Sequence, residues 1–215
     1  VKHAYIALAS LLLSAGFIAQ VSHSLPTDSE RWHITPGGSA EVITSELTEA
    51  KLVAVFGRQH VTWGEIQDVE GEGLPGTILF ASDPHERLDI VWTDNEHRRL
   101  PKQVQVFGDS RSRWETTAGI SLATTLKELE RINGKPFRLS GFDIDYEGTV
   151  KSWNGGNLEK EFHDSGVIVR LRCSKKTTAT PDELNQLAGT AEFSSDNPIM
   201  QKANPHIYQI IWIFR

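Results

Sequence analysis

The sequence predicts an α+β fold made of two tandem helix-plus-antiparallel-sheet units, joined most simply through one continuous sheet. Three observations predict it. Thr48, Leu52, Val55 and Gly57 recur at the same offsets as Thr125, Leu129, Ile132 and Gly134, the signature of a duplicated unit. Each copy is followed by short β-branched or alternating runs set between Pro, Gly, Asn and Asp, which read as strands. The chain closes on Ile207 to Phe214, a near-continuous β-branched and aromatic run of the kind buried on both faces of a sheet.

The elements follow in order. Residues 1–24 read as an export signal: Lys2 and His3 form a short, weakly basic start, Ala4 to Ala19 is apolar, and Ser22 and Ser24 place small residues before a cleavage point after Ser24. The apolar run is shorter than the roughly 20 residues a spanning helix needs. Val1 in place of Met reads as an alternative bacterial start. No Cys lies near the cleavage point, so a lipid anchor is not expected. The mature chain is expected to be periplasmic or secreted, with no stable membrane anchor.

The first unit spans 25–112. Its helix starts at Thr48, a good N-cap, and stops at Gly57, with Leu52, Val53, Val55 and Phe56 on the buried stripe. Strands follow at Thr77–Phe80, Leu88–Trp92 and Gln103–Phe107. The polar stretch 108–117, with Trp114 its one large apolar side chain, is the seam between units. The second unit spans 113–215. Its helix begins at Thr125, where Glu128 completes a capping box, and ends at Gly134 before Pro136. Strands are expected at Phe142–Tyr146, Thr149–Trp153 and Val167–Cys173. A hairpin turn at Asn154 and Gly155 precedes the last of these. Thr180, Pro181 and Glu183 open a third helix that runs to Gly189, and Ser194 to Pro198 opens another turn. The closing strand completes the sheet.

Thr125 and its helix sit within a longer pattern. Gly119, Leu122, Leu129, Pro136 and Phe137, then Gly141, Phe142 and Tyr146, then Trp153, Gly155 and Gly156 resemble an exported bacterial protein family of unknown function. The repeated helix before a meander resembles the β-lactamase-inhibitor-protein-like superfamily, which includes small barrel-assembly lipoproteins. That second resemblance implies helices packed on an antiparallel sheet and a role in binding other proteins.

Composition narrows the partners. The full chain carries −6 at neutral pH, and loss of Lys2 with the signal makes the mature chain more acidic still. No basic stretch stands out to neutralise phosphates, so nucleic acid is not an expected partner. The single Cys173 cannot form an internal disulfide and reads as a structural thiol in a strand.

Candidate chemistry is sparse. Asp143, Asp145 and Glu147 alternate, so on a strand their carboxylates would share one face, the arrangement a hard cation such as Ca²⁺ requires; a solvated face uses the same pattern. Gly71, Gly73 and Gly76 satisfy a dinucleotide-loop spacing, but acidic residues precede it and β-branched ones follow, so it reads as a structural turn. The His residues are scattered without zinc spacing, no nucleophile elbow is present, and no cofactor is expected. Six Trp residues supply the better signal. Trp92 and Trp212 read as core. Trp63, Trp114 and Trp153 lie near turns, and Arg111 and Arg113 flank Trp114, the aromatic-plus-Arg material of interface hot spots. Trp114 could equally plug the two units together.

The sequence therefore points to a non-catalytic, exported binding module. It would recognise an envelope or extracellular protein through the seam or the concave face of the sheet. Two other readings stay open: a metal-dependent or hydrolytic enzyme using the carboxylates with a His, and an inhibitor that inserts the acidic Gly64–Gly76 loop into another enzyme's cleft.

Overall fold

The computed structural model describes residues 30–34, 42–67, 72–108, 110–143, 147–164 and 166–214. The signal segment 1–24, Gly71 and Asp145 lie outside them. The architecture is mixed α and antiparallel β, with strand dominant.

Both repeated helices form where their caps place them. Helix α1 (Glu49–Phe56) starts from Thr48, whose Oγ1 accepts from the Lys51 amide, and ends at Gly57 with φ 93°. Helix α2 (Leu126–Asn133) starts from a full Thr125/Glu128 capping box and ends at left-handed Gly134. Between them lie strands β1 (Val61–Gln67), β2 (Gly73–Leu79), β3 (Leu88–Asp94) and β4 (Arg99–Phe107). After α2 come β5 (Arg138–Ser140), β6 (Val150–Ser152), a π-helical turn (Glu159–Asp164) and β7 (Val167–Arg172). The tail adds α3 (Pro181–Asn185), β8 (Glu192–Ser194), α4 (Pro198–Ala203) and β9 (His206–Ile213).

Six strands form one antiparallel sheet in the order β1-β2-β3-β4-β9-β7, and β6-β5-β8 form a second, smaller one. The last strand lies between β4 and β7. This explains its composition: Ile207, Ile210, Ile211 and Trp212 are all buried, because a strand in that place has neighbours on both edges and cover on both faces.

The helix side of the sheet is the core. Val104, Val106, Ile210 and Trp212 belong to one apolar cluster with Leu52 of α1 and Leu126 and Leu129 of α2. Trp92 Nε1 donates to Thr77 Oγ1 at 2.8 Å, and Thr77 donates to Glu49 Oε2 at 2.8 Å. Arg98 closes that buried relay on Glu49 Oε1 at 2.7 Å.

The two helices dock alike. Thr48 bridges Arg99 at the start of β4, and Thr125 bridges His206 at the start of β9. The first helical amides, Glu49 and Leu126, donate to the carbonyls of Arg98 and Pro205. Strand β4 slips by one residue against β3, skipping Lys102, and β9 slips against β7, skipping Tyr208. Such bulges turn two consecutive side chains to one face.

Several expected elements differ. Phe142 makes only an isolated parallel bridge to Ala188, and Asp143 has φ 59°. The chain thus leaves the extended conformation at Asp143, and Asp143 and Glu147 do not alternate along a strand. Asn154 and Gly155 both take positive φ, as the turn requires. That turn leads into the π-helical turn rather than directly into β7, and β6 pairs with β5, while Thr149 just before it makes an isolated antiparallel bridge to Arg170 of β7. Helix α3 stops at Asn185, short of Gly189. Strand β1 goes beyond the expected set: Gly64 and Glu65 break its hydrophobic alternation.

Candidate functional site

The expected binding residues occupy different environments. Trp114 is fully buried: it packs edge-on to Trp32 at 4.8 Å and to Phe56 at 5.9 Å, and its Nε1 donates to the Glu86 carbonyl at 2.6 Å. Trp153 is buried between Phe137 and Phe162. Neither ring offers an exposed contact, because both fill spaces that nearby aromatics leave open. Arg113 lies with its guanidinium 4.0 Å over Trp32 and pairs with Glu86 at 2.6 Å. Arg111 is exposed, and its carbonyl accepts from His85 Nδ1 when that nitrogen carries the proton. Trp63 is the one expected aromatic at the surface, 38% exposed, with Arg98 4.4 Å over its ring.

The acidic residues meet in a small pocket of about 180 Å³ beside Cys173 and Leu184. The Asp143 amide donates to Glu147 Oε2 at 3.3 Å, and Arg172 Nε donates to Glu147 Oε1 at 3.0 Å. A guanidinium already neutralises Glu147, so an incoming cation would have to displace it. Among the described residues no group of three or more His, Cys, Asp or Glu is arranged to hold a metal ion. Burial, reinforced by Glu147 and then Asp143, pushes the Cys173 thiol up to about 12. It is therefore a thiol, not a thiolate nucleophile, at neutral pH.

The larger feature is a cleft of about 380 Å³ on the sheet face opposite the helices. That size is in the range of small-ligand sites. The backbone builds it. Strands β1 and β2 pair along their whole length, but only Thr77–Leu79 of β2 pair with β3. Gly64 lies opposite Gly76 where β2 leaves β3. A side chain at Gly76 would meet Ile66 Cδ1 and the Ile90 carbonyl, each at 2.5 Å, the close backbone approach that glycine in a strand permits. Beyond this bend the hairpin arm folds over the sheet, and the Gln67 carbonyl accepts from Gln105 Nε2 at 2.6 Å.

The floor is polar and buried. Gln105 Oε1 accepts from Gln209 Nε2 at 3.0 Å, and Gln209 Oε1 accepts from Arg170 Nη1 at 2.8 Å. Asp89 is held by Arg87 through two hydrogen bonds of 2.9 and 3.1 Å. Burial nevertheless raises the Asp89 carboxyl above its ordinary value, outweighing the Arg87 hydrogen bond and charge. The rim is aromatic and cationic. Arg87 lies 5.1 Å over Phe107, which is 46% exposed, and Arg172 lies 4.0 Å over Tyr208. The β9 bulge places Tyr208 beside Gln209 on this face. Burial pushes the Tyr208 phenol up, and the Arg170 charge opposes that shift.

Sequence reading did not find this site. Gln103 and Gln105 alternate with Val104 and Val106, and Gln209 interrupts the apolar run of β9. Amides inside strands this apolar were the available signal. The fold-over of the arm and the bulge at Tyr208 leave no comparable mark. No family model matches the chain, and no curated protein and no solved structure matches it.

Proposed function

We propose that this chain is an exported, non-catalytic binding module for a protein or other envelope component, and that contact is made at the open-face cleft rather than around Trp114. The observation that carries the reading is the cleft itself: a polar floor of buried Gln105 and Arg170 with half-buried Gln209, beneath two guanidinium-capped rings. Aromatic and Arg anchors in a concave, partly desolvated setting supply affinity through contact area and directed hydrogen bonds. Acid–base chemistry asks for a titratable group held ready for substrate. Here Asp89 and Glu147 are engaged by Arg87 and Arg172, which favours recognition over turnover.

The same reading takes the two halves as tandem copies related by an approximate two-fold axis. Matching helix docking and matching bulges support it. In this reading one copy's hairpin became the arm that roofs the cleft.

The test is capture from an envelope fraction by three baits: the mature chain, Phe107→Ala/Arg172→Gln, and Trp114→Phe. The proposal expects one partner held by the mature chain and by Trp114→Phe, and lost with the double cleft variant. A partner retained by the cleft variant would place contact elsewhere and overturn it.

A further inference from the structure

The chemistry of the cleft narrows what it takes, and this step rests on the reading of the cleft as the contact site. Its lining brings together Arg87, Arg170 and Arg172 in a chain whose overall charge is −6. Glu65 and Asp89 also line it, and Glu147 touches Arg172 from the side of the neighbouring pocket. Three guanidinium groups thus face three carboxylates, and the local charge is balanced. In a balanced site a phosphate dianion sits against Glu65 and Asp89 at a larger Coulombic cost than a monoanion does.

Geometry adds a second restriction. Guanidinium forks match the two oxygens of a carboxylate in one plane. The Arg172 guanidinium lies over the Tyr208 ring at 4.0 Å, and its Nε donates to Glu147, so its orientation is set before a ligand arrives. Gln209 lies on the floor, where its Oε1 accepts from Arg170 Nη1, and the exposed Phe107 ring stands on the rim under Arg87. An anion at Arg170 and Arg172 would carry its remaining atoms across Tyr208 and Phe107, where a planar or apolar body gains burial.

We propose that the cleft binds a carboxylate borne on a planar or apolar body, with Arg170, Arg172 and Gln209 holding the carboxylate and Tyr208 and Phe107 packing the body.

The probe is benzoate, followed by amide chemical shifts of the isotope-labelled mature chain, with benzamide and inorganic phosphate as comparisons. Saturable shifts at Arg170, Arg172 and Gln209 are expected with benzoate. Benzamide and phosphate should each bind at least about tenfold more weakly, since a charge-assisted hydrogen bond is worth that factor or more. Arg172→Gln, on the half-exposed rim, should weaken benzoate about tenfold with the folded spectrum intact. Arg170→Lys tests the buried floor with its charge kept. Equal binding of benzamide, tighter binding of phosphate, shifts confined to another surface, or no saturable shift up to about 50 mM would overturn the ligand class. If benzoate fails while the double cleft variant still loses the captured partner, only this class falls. If that variant keeps the partner, the binding reading falls with it.

Discussion

Replacing Trp114 with alanine removes a ring that the structure buries completely among Trp32 and Phe56, and strips the Glu86 carbonyl of its indole donor. Truncating a buried Trp costs about 3–5 kcal/mol through lost transfer energy and the cavity left behind. Leaving the carbonyl unsatisfied adds about 1–3 kcal/mol where water does not replace the donor. Together these come to about 4–8 kcal/mol, against a typical total stability of about 5–15 kcal/mol. Trp114→Phe keeps most of the ring contact and loses the hydrogen bond, so about 1–3 kcal/mol is expected. Urea unfolding followed by far-ultraviolet circular dichroism measures both. With a slope of about 2–3 kcal/mol per molar, the alanine variant should unfold roughly 2 M earlier than the parent. A loss below about 1.5 kcal/mol for Trp114→Ala would refute the assignment of Trp114 to the core. So would equal losses for the two variants, because the cavity contribution would then be missing.

Four further outcomes are expected. With its thiol near 12, Cys173 in the folded chain should react with iodoacetamide at pH 8 roughly a thousandfold more slowly than a free cysteine; a rate matching the urea-unfolded chain would contradict its burial. Thr125→Ala removes the Oγ1 that accepts from Glu128 N and half of the capping box, so a loss of about 1 kcal/mol is expected in thermal unfolding, and no change would mean the cap is idle. Asp94 is held down to about 2 by the hydrogen bond from Arg99 and then by the His97 amide. Because that value lies below the unfolded one, its contribution is present above the ordinary carboxylate range and fades as pH falls through about 2. Carboxyl carbon shifts should follow that titration, and Arg99→Ala should move it upward. A chain ending at Pro205 lacks β9 and should fail to fold cooperatively, since β4 and β7 both lose their partner strand; a cooperative melt from the shortened chain would show the sheet closing without it.

Some of this was legible in the residues and some was not. The helix starts at Thr48 and Thr125, the stop at Gly134 and the Thr180/Glu183 box follow from chemistry within one or two turns, and the structure forms each of them. The carboxylate pattern misled because alternation implies a shared face only while the backbone stays extended, and Asp143 turns to positive φ. Trp114 was ambiguous for a related reason. Flanking Arg residues look the same in sequence whether the ring between them points to solvent or, as here, into a nest of other rings.

The sequence by itself determined the local grammar: which segments extend or coil, where helices are capped, and that the last strand must be buried on both faces. Each of these depends on residues near one another in the chain. Tertiary structure alone decided where β9 lies, that the arm bends at Gly64 and Gly76, and that Arg87, Gln105, Arg170 and Tyr208 share one cleft. Those residues come from three strands and the residue just before β3, and their meeting depends on register, on a one-residue bulge and on a fold-over. A one-residue change in register turns a side chain to the opposite face of a strand, and the order of amino acids does not state that register directly.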